Sequence, residues 1–142
     1  AELSEGRRFG DDADEIYTDF AEADLIAAHN FPFDFQFMSA EMARAGRTFH
    51  YKNSLCTMRR LTPVMKLLRS DGRNYKYPRL AEMRDYLGIT AGDILSLGER
   101  LYGETGGFHD ARYDAMVVFS AFMRLQETMT DISDMIIKAV NE

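Results

Sequence analysis

Cysteine is almost missing from this chain. Cys56 stands alone in 142 residues, so no internal disulfide can form, and a reducing, cytoplasmic setting is the expectation. Long apolar runs are also missing: none approaches the roughly 20 residues that cross a bilayer, and no secretory pattern occurs, which predicts no membrane association. Internal repeats and low-complexity stretches are absent, and the length suits one domain over 1–142. Net positive charge is lacking as well. A formal charge of -6 argues against nucleic-acid binding through bulk electrostatics.

What is present is mostly helical periodicity. Apolar spacing predicts helices near 11–22, 33–46, 58–70, 90–102, 110–127 and 130–140, with a shorter one from Pro78 to Leu87 that Gly88 ends. Pro63 is expected to delay or kink the helix at 58–70. Two short apolar runs, 24–29 and 53–57, predict strands, and Ser70-Asp71-Gly72-Arg73-Asn74 has the composition of a turn. In the last helix Ile132, Met135, Ile136 and Val140 share a face, expected to pack on the core.

Two segments carry chemistry. Leu25-Ile26-Ala27-Ala28 runs into His29-Asn30-Phe31-Pro32-Phe33-Asp34, which places a carboxylate just beyond the end of a buried strand, where open α/β sheets put their sites. In the second, His109 precedes a helix in which Asp114 is expected to lie among Ala111, Ala115, Val118, Phe119 and Phe122 rather than on a polar side. A carboxylate buried there unpaired costs several kcal/mol, on the order of what a cation must return. Each acid also has a plainer reading, as a first-turn carboxylate favoured by the helix dipole. His29 and His50 read as structural or surface histidines.

Together, "LIAAHNFPFDFQFM" and "HDARYDA" resemble the second and third motifs of the DEDDh exonucleases, a ribonuclease H-like family that includes the proofreading subunit of bacterial replicative DNA polymerase. The resemblance runs from about residue 9 to 127 and takes in "SLCTMRRL" and "YKYPRLAEMRDYLG". It implies an α/β fold, here a helix-rich C-terminal portion with two recognisable strands, and a 3′–5′ exonuclease acting at the 3′ end of DNA or RNA. By the same resemblance Asp34 and Asp114 are metal ligands, His109 is the general base, and Asn30 and Phe37 contact the terminal nucleotide. Two Mg2+ or Mn2+ ions per site would be the cofactors, and a DNA polymerase a candidate partner.

One family feature is missing. The Asp-x-Glu of the first motif does not occur on an opening strand; Asp11-Asp12-Ala13-Asp14-Glu15 reads instead as the acidic first turn of a helix. The chain also opens on Ala1, and the expectation is that missing N-terminal strands, or a second copy, cover the bare edge of the 24–29 strand. The competing reading is a catalytically incomplete module that binds nucleic acid or a polymerase.

Charge is distributed unevenly. Between Thr57 and Arg79 lie Arg59, Arg60, Lys66, Arg69, Arg73, Lys76 and Arg79, with Asp71 the lone acid and Tyr75 and Tyr77 interleaved. Such a segment predicts a nucleic-acid surface, drawn chiefly from Arg59, Arg60, Arg73 and Lys76, or more plainly a solvated face.

Overall fold

The computed structural model describes residues 8–103 and 111–141, with the side chain of Val140 outside the described ones. Seven helices and two strands occur among them: α1 (Phe9–Glu22), β1 (Ile26–Ala28), α2 (Phe31–Arg44), β2 (Ser54–Cys56), α3 (Thr57–Met65), α4 (Leu80–Tyr86), α5 (Ala91–Tyr102), α6 (Ala111–Thr128) and α7 (Thr130–Asn141). The strands pair in parallel, Ile26 opposite Ser54 and Ala28 opposite Cys56, and α2 makes the crossover that a parallel pair requires. The architecture is therefore α/β in the coarse sense, a helical assembly around a small parallel sheet. No helix among the described residues is long and apolar enough to cross a membrane.

Helix α6 organises the rest, packing against α4, α5, α7 and β1. Its buried side chains Tyr113, Met116, Val117, Ala121 and Leu125 meet Leu61, Met83, Ile94 and Ile132 in one apolar core. Met135 and Ile136 of α7 pack at the margin of that core, as the apolar face of the last helix predicts.

Local signals set the helix ends. Thr90 and Asp93 form a reciprocal cap on α5: the Asp93 amide donates to Thr90 Oγ1 at 3.1 Å, and the Thr90 amide to Asp93 Oδ2 at 2.8 Å. Gly88, at φ 69°, closes α4 in a conformation that side chains with a Cβ resist.

The helix predicted over 58–70 is shorter than expected. Pro63 sits inside α3, and the helix stops at Met65, with Lys66 in the left-handed region at φ 54°. Proline removes one backbone donor and crowds the preceding turn, so a nine-residue helix ends soon after it. The freed residues turn back instead. Leu68 bridges Tyr75 in antiparallel fashion, the Arg69 amide donates to the Asn74 carbonyl at 2.8 Å, and the Lys76 amide to the Leu67 carbonyl at 2.7 Å.

Aromatic rings hold α1 and α2 together. Phe20 meets Phe49 edge-on at 5.3 Å, Phe49 lies 5.9 Å from Phe35, and Phe31 meets Tyr51 at 5.3 Å. Exposed His50 sits edge-on to Tyr17 at 6.1 Å, in keeping with a surface role.

Candidate active site

The site begins where β1 ends. Asn30 takes a left-handed conformation, φ 75° and ψ 55°, which asparagine tolerates better than most residues and which turns the chain at once into α2. Pro32 in the first turn has no amide to leave unpaired there. The Asn30 carbonyl receives the Phe33 amide at 3.0 Å, and this tight start sets Asp34 in the first turn of α2, directly beyond the strand.

Asp34 and Asp114 line one open cleft of about 890 Å3 between β1, α2 and α6. His29 also lines it, and the rest of its wall is apolar, with Phe33 and Met38 from α2 and Ala115, Val118, Phe119 and Phe122 from α6. Partial burial against this wall raises the Asp34 carboxyl above its ordinary range, and the nearby charge of His29 works against the rise.

The expected burial of Asp114 is corrected. Asp114 is exposed, as are Ala111 and Ala115, and Phe119 keeps 51% of its surface. Helix α6 is apolar on two faces. The face carrying Tyr113 and Val117 enters the core, while Ala115, Val118 and Phe119 border the cleft; Phe122 lines the cleft and also packs, half-buried, against the core. A buried unpaired charge is therefore not what marks Asp114; sharing a cleft with Asp34 is.

His29 is built into the frame. Its Nε2 lies 2.7 Å from the Pro78 carbonyl, which can only accept, so Nε2 carries a proton; Nδ1 lies 2.9 Å from the Thr57 hydroxyl, which also reaches the Ala28 carbonyl at 3.3 Å. One ring thus ties the end of β1 to the start of α3 and to the segment entering α4. Burial lowers the His29 pKa below its usual value, while the Pro78 hydrogen bond and the charge of Asp34 oppose that shift. Fully buried Thr57 is a residue that sequence reasoning missed. A hydroxyl next to a strand was visible, but nothing in the sequence connects it with positions 29 and 78.

The remaining expectations fall unevenly. Asn30 lies in the turn between β1 and α2 and, like the 59% exposed Phe37, is not part of the cleft wall; Phe33, one turn before Phe37, is. His109 lies outside the described residues. Among the four cations favoured for a nucleic-acid surface, two are engaged elsewhere: Arg60 pairs with Asp131 of α7, and Lys76 reaches both oxygens of Glu82 at 2.8 Å. Arg59 and Arg73 remain exposed.

Carboxylate oxygens are the donors that Mg2+ and Mn2+ take. Among the described residues, however, no group of three His, Cys, Asp or Glu side chains converges anywhere. Asp34 and Asp114 share the wall of the cleft, and two carboxylates do not by themselves make a two-ion centre. Compared with family models, with curated proteins and with solved structures, the chain matches none.

Proposed function

We propose that this domain belongs to a metal-dependent 3′–5′ exonuclease of ribonuclease H-like fold, which hydrolyses phosphodiester bonds at the 3′ end of DNA or RNA and releases nucleoside monophosphates. The observation that carries the reading is the shared cleft. Two acids 80 positions apart in sequence, each in the first turn of its own helix, face one opening beside the carboxyl end of β1. The motif resemblance assigns these same two residues.

In this reading Asp34 and Asp114 hold the cation, and His109 removes the proton from the attacking water. The bound cation supplies charge neutralisation at the scissile phosphate. Asn30 orients the terminal nucleotide, and the ring of Phe33 or Phe37 stacks on it. Further ligands are needed beyond these two, and the edge of β1 left unpaired among the described residues is where a strand carrying them would add. A polymerase remains a candidate partner, and the single half-buried thiol of Cys56 suits a cytoplasmic setting.

The test is release of mononucleotides from a 5′-labelled oligonucleotide by the full-length protein in Mg2+ or Mn2+. Asp114→Ala is expected to reduce the rate at least about a hundredfold. In parallel, Mn2+ added to the wild-type chain is expected to broaden amide resonances around Asp34 and Asp114. Cleavage that survives Asp114→Ala would remove the assignment. The specific observation favouring a catalytically incomplete binding module is the lack of a third ligating side chain among the described residues. Oligonucleotide binding without cleavage, and without Mn2+ broadening, would establish that reading instead.

A further inference from the structure

The turn-back that follows α3 has no part in the cleft chemistry, yet its surface is unusual. In its antiparallel pairing Leu68 and Tyr75 share one face, and both are exposed, at 57% and 42%. Tyr77, two residues further on, is exposed at 53%. Between the tyrosines, Lys76 is held the other way by both oxygens of Glu82, which anchors the hairpin to α4 and leaves the rings turned from it. Three apolar or aromatic side chains thus stand in solvent on a segment of ten residues, 68–77.

The cations of this segment are equally unspent. Lys66 and Arg73 enter no ion pair among the described residues, and Arg69 uses only its Nε–H, on the Tyr75 carbonyl at 3.3 Å. The local acid Asp71 accepts the Arg73 amide at 2.9 Å, which fixes the turn and not the guanidinium. Exposed rings beside exposed cations make the combination that single strands require: a π-face for each base and charge for the backbone. Position supports it too. Tyr77 is joined to Pro78, whose carbonyl is the partner of His29 beside Asp34, and Leu80 contributes to the cleft wall. The hairpin thus ends three residues before Leu80 of the cleft wall.

We propose that the hairpin over 67–77, through Tyr75 and Tyr77 with Lys66, Arg69 and Arg73, is a docking surface for single-stranded nucleic acid at the mouth of the Asp34–Asp114 cleft. The choice of nucleic acid as ligand rests on the exonuclease reading; the surface itself does not depend on catalysis.

Binding of a fluorescent oligo-dT and its oligo-rU counterpart, followed by anisotropy in EDTA, reads this surface without cleavage. Tyr75→Ala/Tyr77→Ala is expected to weaken binding roughly tenfold or more. Arg69→Ser/Arg73→Ser is expected to weaken it similarly and to flatten the dependence of log K on log salt by about 1.4. Tyr86→Ala, at an exposed tyrosine outside the hairpin, should bind as wild type, and circular dichroism should show each variant folded. No binding by wild type, wild-type binding by either double variant, or tighter binding to duplex than to single strands would each overturn the proposal. Asp114-dependent cleavage with unaltered hairpin binding would leave the exonuclease standing and remove the hairpin. Hairpin-dependent binding in a protein that never cleaves would do the reverse.

Discussion

At the scale of single residues, His29 shows how a side chain with catalytic chemistry serves the fold. The ring donates to Pro78; when neutral it competes with the Ala28 carbonyl for the one Thr57 hydroxyl proton, and when protonated it can donate to Thr57, so what opposes its charge is burial. The pKa of His29 in the folded chain lies below the ordinary 6.5, because burial opposes the charge. Its contribution to stability is therefore complete above pH 6.5 and is lost as pH falls from there through the lowered folded value. His29→Gln retains a donor and an acceptor without titrating. Urea unfolding at pH 7.5 and pH 5 should show a smaller acid loss of stability in this variant than in wild type; an equal loss would mean that His29 does not carry the effect. Asp34 has the opposite sense. Its raised pKa means that the ionised carboxyl opposes folding above the folded value, a cost that suits a site kept for a ligand.

Among the elements, the legibility of the sequence depended on how local each signal was. Helices α1, α2, α5, α6 and α7 fall within two residues of their apolar periodicity, and both strands fall inside the runs that predicted them. The cap on α5 explains one such boundary, since Thr90 satisfies an amide that the helix cannot. Thr90→Ala is expected to cost about 1 kcal/mol, measured as a shift of the urea midpoint at unchanged m-value. No shift would show that the cap is redundant with packing by Ile94. The end of α3 was less legible. Pro63 was visible, but whether it would delay, kink or end the helix depended on where Leu67 to Lys76 found hydrogen-bond partners, and they found them in one another.

For the whole molecule the deciding feature is an apolar surface left open. Phe33, Phe119 and the cleft-facing side of α6 present to solvent what a larger core would cover. A dye such as ANS should bind the native chain there, and Phe119→Ser should lower its fluorescence while unfolding shifts by less than about 1 kcal/mol, because the ring is already half exposed. Undiminished fluorescence would place the dye elsewhere. By itself the sequence determined the kind and order of the described elements, the two short strands and the two acids worth watching, since periodicity, turn residues and short motifs act over a few positions. Only the tertiary structure decided which face of α6 is buried, that Asp34 and Asp114 share a cleft, and that His29 is bound to Thr57 and Pro78. Those outcomes depend on contacts between segments 28 to 80 residues apart. A helix apolar on two sides does not say which side will meet its neighbours; the competition among all the packed elements settles it.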